Sequence, residues 1–553
     1  MSKNNKSNSN YLFQGVILGS ASIIVRIIGL IYRIPLGRII GDVGNSYYSC
    51  AYEVYSLILI VSSYSMPLAV SKIVSARIGM GQKENVNRIL KCALVLGLTV
   101  GAIGALFAYF GADFLTGTLL NTPEGAICLR VLAPCILIVA VLGVIRGYFQ
   151  GLGTMIPTAA SQIIEQIVNA VVAIAAATYL FSFGLKVDAV LGTETAAPAY
   201  GASGSTLGTT LGALSALVFV TVLLMAYLKK SKKEITFENT EKLESYGSIL
   251  SVLAMTILPV IFSTAIYNVN GILDQGIFKS VMQKVGHGKE DIDVLWGIYS
   301  GKFKVLSNVP VALASAMASS TIPNISKQVG NRKAVRKSVG DVIRFTMVIS
   351  IPCAVGLSVF GAEIMEVLWP GTPKVASQMM FWGSCSVIFY SLSTLTNGIL
   401  QGIDKMRLPV IHAAISLGVH LVLLYVLIAV FRMEGMAIVH SYTFFGIMMC
   451  ILNALAIRKH LRYRQEIRRT FIVPILSAAV MGVVSRVVYN VLYSVMGRTT
   501  VAMLIALVFA IIIAVVVYFL ALLAMRSLRE RELRAFPKGH VLVKVAKKLH
   551  FKL

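Results

Sequence analysis

Long apolar runs separated by short polar segments dominate the chain. Each run has about 20 residues or more, the length that an α-helix needs to cross a hydrocarbon layer of about 30 Å. We therefore predict fourteen transmembrane helices, of which 48–76 and 295–323 are the least apolar. The predicted spans cover residues 13–40, 48–76, 89–112, 127–149, 157–182, 200–228, 250–280, 295–323, 341–362, 377–401, 408–431, 435–457, 470–495 and 500–526.

Composition supports this interpretation. The chain has 553 residues, of which 57% are hydrophobic and only 13% charged. A soluble protein carries about 25% charged residues. The polar start, MSKNNKSNSN, leads into a long span without a small-residue cleavage site, so no cleaved signal peptide is expected. The seven cysteines are scattered and predict neither a disulfide framework nor a metal site.

The distribution of Lys and Arg predicts the topology. With fourteen spans, 35 of the 50 basic residues, Arg146 among them, fall on the side that holds both termini. Seven, including Lys279, fall in the loops of the other side, and 8 lie within or near spans. Basic residues are retained on the cytoplasmic side, so we expect a multi-pass protein of the bacterial plasma membrane with cytoplasmic termini. The formal charge of +26 is explained by these loops, and no nucleic-acid partner is predicted.

Two segments repeat within the chain. RGYFQGLGTMIP (146–157) matches NGILQGIDKMRLP (397–409) at an offset of 251 residues, and a looser pair, GQKENVNRIL (81–90) and GNRKAVRKSV (330–339), gives 249. Because the paired loops lie six spans apart, the halves would share orientation, as in transporters built from parallel repeats. Chance similarity of short glycine-rich loops is the alternative.

The repeat predicts an all-α polytopic protein with two six-helix lobes and two extra C-terminal helices. The predicted domains are 1–228 (N-lobe), 229–247 (cytoplasmic linker), 248–469 (C-lobe), 470–526 (helices 13 and 14) and 527–553 (basic cytoplasmic tail). The tail could lie on an anionic membrane surface or extend into solvent.

Charged residues inside the apolar runs carry most of the functional information. A charge at bilayer depth costs about 2.5–3.5 kcal/mol on insertion scales, so it persists where it meets water, a partner or a substrate. Five of the seven such residues are cationic, which predicts an anionic cargo. The predicted substrate-binding residues are Arg26, Arg33, Lys72, Lys302 and Lys304, and the predicted coupling or charge-pair residues are Glu165 and Asp274.

Motifs for catalysis are not found. GHGKE (286–290) lacks the spacing and the Ser/Thr of a phosphate-binding loop, and no zinc-protease motif or nucleophile elbow occurs. His412 and His420, eight residues apart, could share a helix face, but packing or cavity lining explains them without a catalytic role. We therefore expect a protein that is not an enzyme.

Four segments together resemble one known family. VRIIGLIYRIPLGRIIG, MPLAVSKIVSARIGMG, RGYFQGLGTMIPTAASQIIEQIV and PVALASAMASSTIPNIS are similar to segments of the lipid II flippases (MurJ) and their stage V sporulation protein B relatives. These belong to the multidrug/oligosaccharidyl-lipid/polysaccharide (MOP) exporter superfamily. The resemblance covers nearly the whole chain, and the third segment is typical of the Gram-positive branch.

The resemblance implies fourteen spans in two lobes, a lipid-facing groove formed by spans 13 and 14, and a cationic central cavity. Of the family's essential arginines, Arg26 matches the first, and Arg33 lies one residue out of register with the second. Lys302 or Lys304 stands where an eighth-span arginine is expected, which keeps the charge but loses bidentate phosphate geometry. Asp274 fits the family's Na⁺-binding acid.

Span 11 carries His412 and His420 in place of the expected Asp and Asn, which puts Na⁺ coupling in doubt. We expect no cofactor; a membrane potential or a proton or Na⁺ gradient would supply energy.

The implied function is outward flipping of a polyprenyl-pyrophosphate-linked glycan, most directly lipid II, for peptidoglycan synthesis and cell shape, by a monomer in contact with plasma-membrane lipids. One alternative is a flippase for a capsule, teichoic or spore-cortex precursor. Another is a multidrug/cation antiporter, which would favour an acidic cavity. A scaffold that recruits wall enzymes is a third, but it would have no use for intramembrane charges.

Overall fold

The computed structural model describes residues 2–64, 66–234, 243–327, 331–497 and 499–525, and these form α-helices joined by short turns. The predicted basic tail and residues 235–242 of the predicted linker lie outside the described residues. The helices are α1 Ser2–Leu59, α2 Met66–Gly79, α3 Lys83–Phe110, α4 Gly125–Gly151, α5 Ile156–Leu191, α6 Ala196–Glu234, α7 Tyr246–Val285, α8 Lys289–Ile298, α9 Lys304–Lys327, α10 Arg332–Leu368, α11 Lys374–Gly383, α12 Ser386–Gly402, α13 Arg407–Ala429, α14 Glu434–Leu461, α15 Val473–Val495 and α16 Thr500–Ala524.

Ten helical segments of the described residues are long and apolar enough to cross a membrane. The prediction of an all-helical, multi-pass membrane protein is confirmed. The first of the ten, Ser20–Gly79, contains the predicted span 48–76 and most of the predicted span 13–40. The predicted span 377–401 is instead divided between α11 and α12, which are separated at Ser384 and Cys385. The count of fourteen helices and the arrangement in two six-helix lobes stay predictions.

The chain packs as two compact units, residues 1–301 and 302–553. In the first unit one apolar cluster joins α2, α3, α4 and α6 to the beginning of α7, where Leu253 is fully buried. In the second unit a cluster around Met347 joins α10, α12, α14, α15 and α16. Compact packing thus places α7 with the first unit. The predicted lobes rest on the repeat, which packing does not test, so their boundaries stay predictions.

Helix α1 is interrupted at Gly41, whose φ of 67° and ψ of −173° are not helical. Residues with a Cβ atom rarely adopt a positive φ. The carbonyl of Asp42, the next residue, lies directly against Gly297 on α8, and a Cβ atom there would collide with it. Glycines at both positions therefore allow α1 to bend and α8 to approach its backbone.

Helices α5 and α6 pack along a seam of small residues. A Cβ atom on Gly204 would lie 2.5 Å from the carbonyl oxygen of Ala176, and one on Gly208 would lie 2.6 Å from the Cβ atom of Ala173. Real Cβ atoms essentially never approach other atoms below 3.0 Å. Small residues let helix backbones approach closely in membranes, where dispersion contacts drive association.

The two repeated segments occupy the same local setting. Gly151 ends α4, and a turn of four residues leads into α5 at Ile156. Gly402 ends α12, and a turn of four residues leads into α13 at Arg407. Each segment therefore forms a helix end, a short turn and the start of the next helix.

The connection from α14 to α15 is organised by Glu466. Its Oε1 accepts a hydrogen bond of 2.7 Å from the backbone N–H of Arg469, and its Oε2 accepts one of 3.1 Å from the Thr470 hydroxyl. Arg344 on α10 completes the group with an Nη2–Oε2 distance of 3.3 Å. Burial raises the pKa of Glu466, but these donors outweigh it and hold the pKa below the ordinary value. The carboxylate thus satisfies N–H groups at the beginning of the next span.

Candidate functional site

Two predicted binding residues, Arg26 and Arg33, lie on α1, where seven positions correspond to about two helical turns. Arg26 is exposed and Arg33 is half-buried. The Arg33 guanidinium lies among Tyr48, Tyr32 and Tyr52 and donates a hydrogen bond to Tyr32. No ion pair of the described residues includes Arg33. A cation surrounded by hydroxyl groups and aromatic rings keeps its charge available for an anion.

Lys72 lies on α2 and is exposed. Five residues on, Arg77 forms an ion pair with Glu244, with 2.5 Å between Nε and Oε1. Arg77 is thus held by an acid of the same unit, whereas Lys72 projects from the surface of the helix. Lys72 is not among the groups that surround Arg33.

Glu165 on α5 forms an ion pair with Arg146 near the end of α4, with 2.8 Å between Oε2 and Nη2. Arg146 also donates from Nε to the Ser161 hydroxyl at 2.9 Å. Only 13% of the Arg146 side chain is exposed, so water screens this pair less than a surface pair. We had placed Arg146 among the cytoplasmic loop charges. Its burial follows from the turn between α4 and α5, which brings Ser161 and Glu165 of α5 beside it.

Asp274 on α7 is fully buried. Three residues earlier, the backbone of Gly271 lies against the carboxylate of Glu53 from α1, so closely that a Cβ atom on Gly271 would collide with it. Sequence reasoning missed Glu53, although it lies inside the apolar run 48–76 and satisfied the criterion used for the other charges. The first unit thus places two acids, Glu53 of α1 and Asp274 of α7, at the same stretch of α7.

Lys279, which we had assigned to an external loop, is buried on α7 and forms an ion pair with Asp293 on α8. Its ammonium group also donates to the hydroxyls of Ser46 at 2.8 Å and Thr122 at 2.7 Å. Three acceptors use the three donors of the ammonium. Lys279 therefore has no donor left for a ligand, and its role is structural. The sequence could not reveal the burial of Lys279, because this burial depends on the position of Asp293 on α8 in the folded protein.

In the second unit, Lys302 is buried and its ammonium lies 3.4 Å from the Thr372 hydroxyl. The Lys304 ammonium lies 6.0 Å from the centre of the Tyr442 ring, a cation–π distance. Tyr442 itself stacks on Tyr390 with 4.1 Å between ring centres. The two lysines therefore occupy different surroundings, one beside a hydroxyl and the other over an aromatic face.

Both histidines of α13 are buried against α14. His412 Nδ1 lies 2.8 Å from Asn453 Oδ1, and Asn453 donates to Thr396 and Asn397. His420 Nδ1 donates to the carbonyl of Ser441 at 2.7 Å. These contacts give both side chains a packing role. Within the described residues, no group of three or more His, Cys, Asp or Glu could hold a metal ion.

Helix α5 packs beside the Arg26–Arg33 stretch of α1. Asn169 Nδ2 lies 3.5 Å from the Tyr32 hydroxyl, and Gln166 lies beside Gly29. The first unit thus combines the arginines of α1 with the polar face of α5. Lys302 and Lys304 belong to the second unit, and each unit is considered by itself.

Comparison with known proteins identifies the family. Residues 12–329 match the family described as polysaccharide biosynthesis protein, and residues 303–426 match the MatE family. The chain is 27% identical over 499 residues to the lipid II flippase MurJ of Bacillus subtilis (strain 168), covering 86% of this chain and 88% of the relative. It is 22% identical to stage V sporulation protein B of the same organism, covering 76% and 78%.

Solved structures share the fold. A structure of lipid II flippase MurJ in an inward closed conformation has a TM-score of 0.65 at 14% identity, covering 92% of this chain and 98% of that one. An inward-facing multidrug resistance MATE transporter has a TM-score of 0.64 at 14% identity, covering 79% and 98%. With more than half of its length matched by one family, the chain, a multi-pass membrane protein, belongs to the polysaccharide biosynthesis protein family.

Proposed function

We propose that this protein is a flippase that moves a polyprenyl-pyrophosphate-linked glycan, most directly lipid II, from the inner to the outer leaflet of the plasma membrane. It acts as a monomer by alternating access, with both termini in the cytoplasm, and supplies peptidoglycan synthesis. The family and the similarity to lipid II flippase MurJ over most of both chains support a lipid-linked oligosaccharide as cargo.

The observation that carries the proposal is the surroundings of Arg33. A guanidinium inside a membrane-spanning helix is costly without a counter-charge. Its neighbours Tyr48, Tyr32 and Tyr52 partly replace water but do not neutralise it. A pyrophosphate would neutralise it, because the pyrophosphate oxygens accept hydrogen bonds from the paired N–H groups of a guanidinium. Arg26, two turns away on the same helix, would extend the site along α1.

The membrane potential provides the driving force in this proposal. Moving one charge through 100 mV is worth about 2.3 kcal/mol, so an outward-moving dianion would gain roughly 4–5 kcal/mol with the cell interior negative. No nucleotide is then needed. The carrier would return empty, with its arginines reset by acids of the first unit such as Glu53 and Asp274.

The second candidate is a flippase for another lipid-linked oligosaccharide, since the relatives include stage V sporulation protein B. Capsule, teichoic and spore-cortex precursors share the polyprenyl pyrophosphate. A multidrug/cation antiporter is the third, favoured by the MatE match over residues 303–426 but opposed by the cationic residues of α1.

The decisive experiment is reconstitution. Proteoliposomes with an imposed potential would receive lipid II, a second polyprenyl-pyrophosphate glycan or a cationic drug, and complementation of a strain depleted of its lipid II flippase would run in parallel. We expect lipid II flipping and complementation. Flipping of the other glycan alone would favour the second candidate, and transport of the drug alone would favour the third.

A further inference from the structure

The segment RGYFQGLGTMIPTAASQ, singled out by its repeat, surrounds a cavity in the first unit. The cavity has a volume of about 220 Å³ and lies between the end of α1, the start of α2, α4 and α5. Four of its lining side chains come from this segment: Arg146, Gln150, Thr158 and Gln162. By the predicted topology this is the cytoplasmic end of α4 and α5, the side from which a precursor would be loaded.

The polar groups at this cavity are only partly used. Arg146 donates to Glu165 and Ser161, and its other N–H groups have no partner among the described residues. Gln150 Nε2 donates to the Thr158 hydroxyl at 3.3 Å. Gln162 Oε1 is buried and has no hydrogen-bond partner in the described part of the chain. A buried amide oxygen without a donor costs about 1–3 kcal/mol, which a ligand hydroxyl or N–H group would recover.

The balance of charge and donors selects the class of ligand. The charge of Arg146 is compensated by Glu165 at 2.8 Å, so the site has little net attraction for an anion. Phosphate oxygens only accept hydrogen bonds, whereas this cavity offers acceptors at Gln162 as well as donors at Arg146. Hydroxyl and amide groups do both. The remaining wall, including Leu59, Pro67 and Val139, is apolar and suits the C–H face of a sugar ring.

Size restricts the ligand further. Pockets for drug-sized ligands measure about 300–1,000 Å³. The present cavity is smaller and open on one side, so one sugar ring with its substituents would fit inside while the rest of a larger glycan extended out of it.

The second copy of the repeat shows that folding does not require these polar groups. Aligned on Met155 and Met406, Asn397 stands in place of Arg146. Aligned on Pro157 and Pro409, Ala414 and Leu417 stand in place of Gln162 and Glu165. The same helix–turn–helix setting thus forms without the ion pair or the second amide. Arg146, Gln162 and Glu165 are therefore specific to the first copy.

We propose that this cavity is a saccharide subsite that holds the first sugar of the lipid-linked glycan, apart from the arginines of α1 assigned to the pyrophosphate. This inference rests on the proposed function, because the sugar is part of the same cargo. In it, Gln162 and Thr158 determine specificity for the headgroup, and Glu165 acts as a positioning residue that fixes the Arg146 guanidinium.

The test uses full-length protein in nanodiscs and N-acetylglucosamine as the probe, followed by saturation-transfer NMR. We expect signal transfer to the sugar with the original protein, and a loss of about 5-fold in affinity with Gln162→Leu, as for one neutral hydrogen bond. Thr158→Val, which preserves shape, should have a similar effect. Thr178→Val is the matched control, since Thr178 is an exposed residue of the same helix that bonds within the helix and does not line the cavity. Melting temperatures would verify that all variants fold.

A transport assay separates this inference from the proposed function. Gln162→Leu should raise the KM for lipid II about 5-fold and leave polyprenyl pyrophosphate without sugar unaffected. Equal effects on both lipids, an unchanged KM or displacement of the sugar by inorganic pyrophosphate would overturn the subsite. If the original protein flips neither lipid, the proposed function fails, and the NMR result still decides whether the cavity binds a sugar.

Discussion

Lys279 of α7 and Asp293 of α8, fourteen residues apart in the chain, form a buried ion pair. The Lys279 ammonium also donates hydrogen bonds to two hydroxyl groups, those of Ser46 and Thr122. The pair of Arg146 and Glu165 differs from it in a way that matters for function. Lys279 has exhausted its donors, whereas Arg146 retains N–H groups that face a cavity. The Lys279–Asp293 pair is therefore structural, whereas Arg146 of the other pair can still donate hydrogen bonds to a ligand.

Breaking the closed pair should destabilise the protein. Lys279→Met leaves the Asp293 carboxylate buried without its cation, a change that typically costs about 3–5 kcal/mol. The measurement is thermal or denaturant unfolding in detergent. Lys284→Met, on the exposed end of the same helix, is the control and should change stability by no more than about 0.5 kcal/mol. Equal stability of the two variants would show that the pair contributes nothing.

Gly297→Ala should also destabilise the protein, by about 2–3 kcal/mol, because the new methyl group meets the carbonyl of Asp42 on α1. Gly418→Ala is a matched control: Gly418 is exposed on α13 and has nothing within 4 Å of an added Cβ atom. Alanine is the better helix former there and should stabilise by up to about 1 kcal/mol. The prediction fails if both substitutions shift the unfolding transition in the same direction.

Acid should weaken the contribution of Glu466. Its folded-state pKa lies below the ordinary value of 4.5, so its contribution is present above that pH and is lost as the pH falls through the lowered pKa. We expect Glu466→Gln to melt below the original protein at neutral pH and the difference to shrink below about pH 4.5. Glu194→Gln, at an exposed turn, is the control. A difference that is independent of pH would refute the assignment.

The arginines of α1 should be required for transport. Arg26→Ala or Arg33→Ala should reduce lipid II flipping by a factor of about 100 or more, as expected when several kcal/mol of charge-assisted binding are lost. Lysine at either position should retain partial activity, because charge survives without the planar fork. Arg130→Ala is the control, since Arg130 pairs with Asp113 on an exposed surface. Full activity of both alanine variants would remove α1 from the binding site.

The coupling ion can be tested at Asp274. We expect Asp274→Asn to slow resetting of the carrier, and exchange of Na⁺ for K⁺ to change flipping little, since α13 offers His412 and His420 where Na⁺ ligands were expected. The membrane potential should still accelerate flipping because the cargo is charged. Proteoliposomes containing either cation, with and without an imposed potential, provide the measurement. A steep Na⁺ requirement would establish Asp274 as a Na⁺ ligand instead.

The helical architecture was predictable because apolar runs and basic loops report directly on membrane insertion. Arg26 and Arg33 could be found for the same reason, since charge inside such a run is conspicuous. Lys279 could not, because it lies at the end of a run where sequence does not distinguish a loop lysine from a buried one. Its burial depends on Asp293, which lies in the polar segment between the predicted spans 250–280 and 295–323. The Arg146–Glu165 pair was not predicted either, because it forms across the turn between α4 and α5.

The glycine seam between α5 and α6 also determines how the first unit can change shape. Gly204 and Gly208 each fit one alanine of the neighbouring helix, so a shift by one residue would drive methyl groups into a backbone. The two helices therefore have a single register and move together as one rigid body that includes Gln162 and Glu165 of α5. Conformational change within this unit is then expected at breaks in the helices, such as the Gly41 interruption of α1. That places the hinge eight residues from Arg33, beside the charge that the cargo would neutralise.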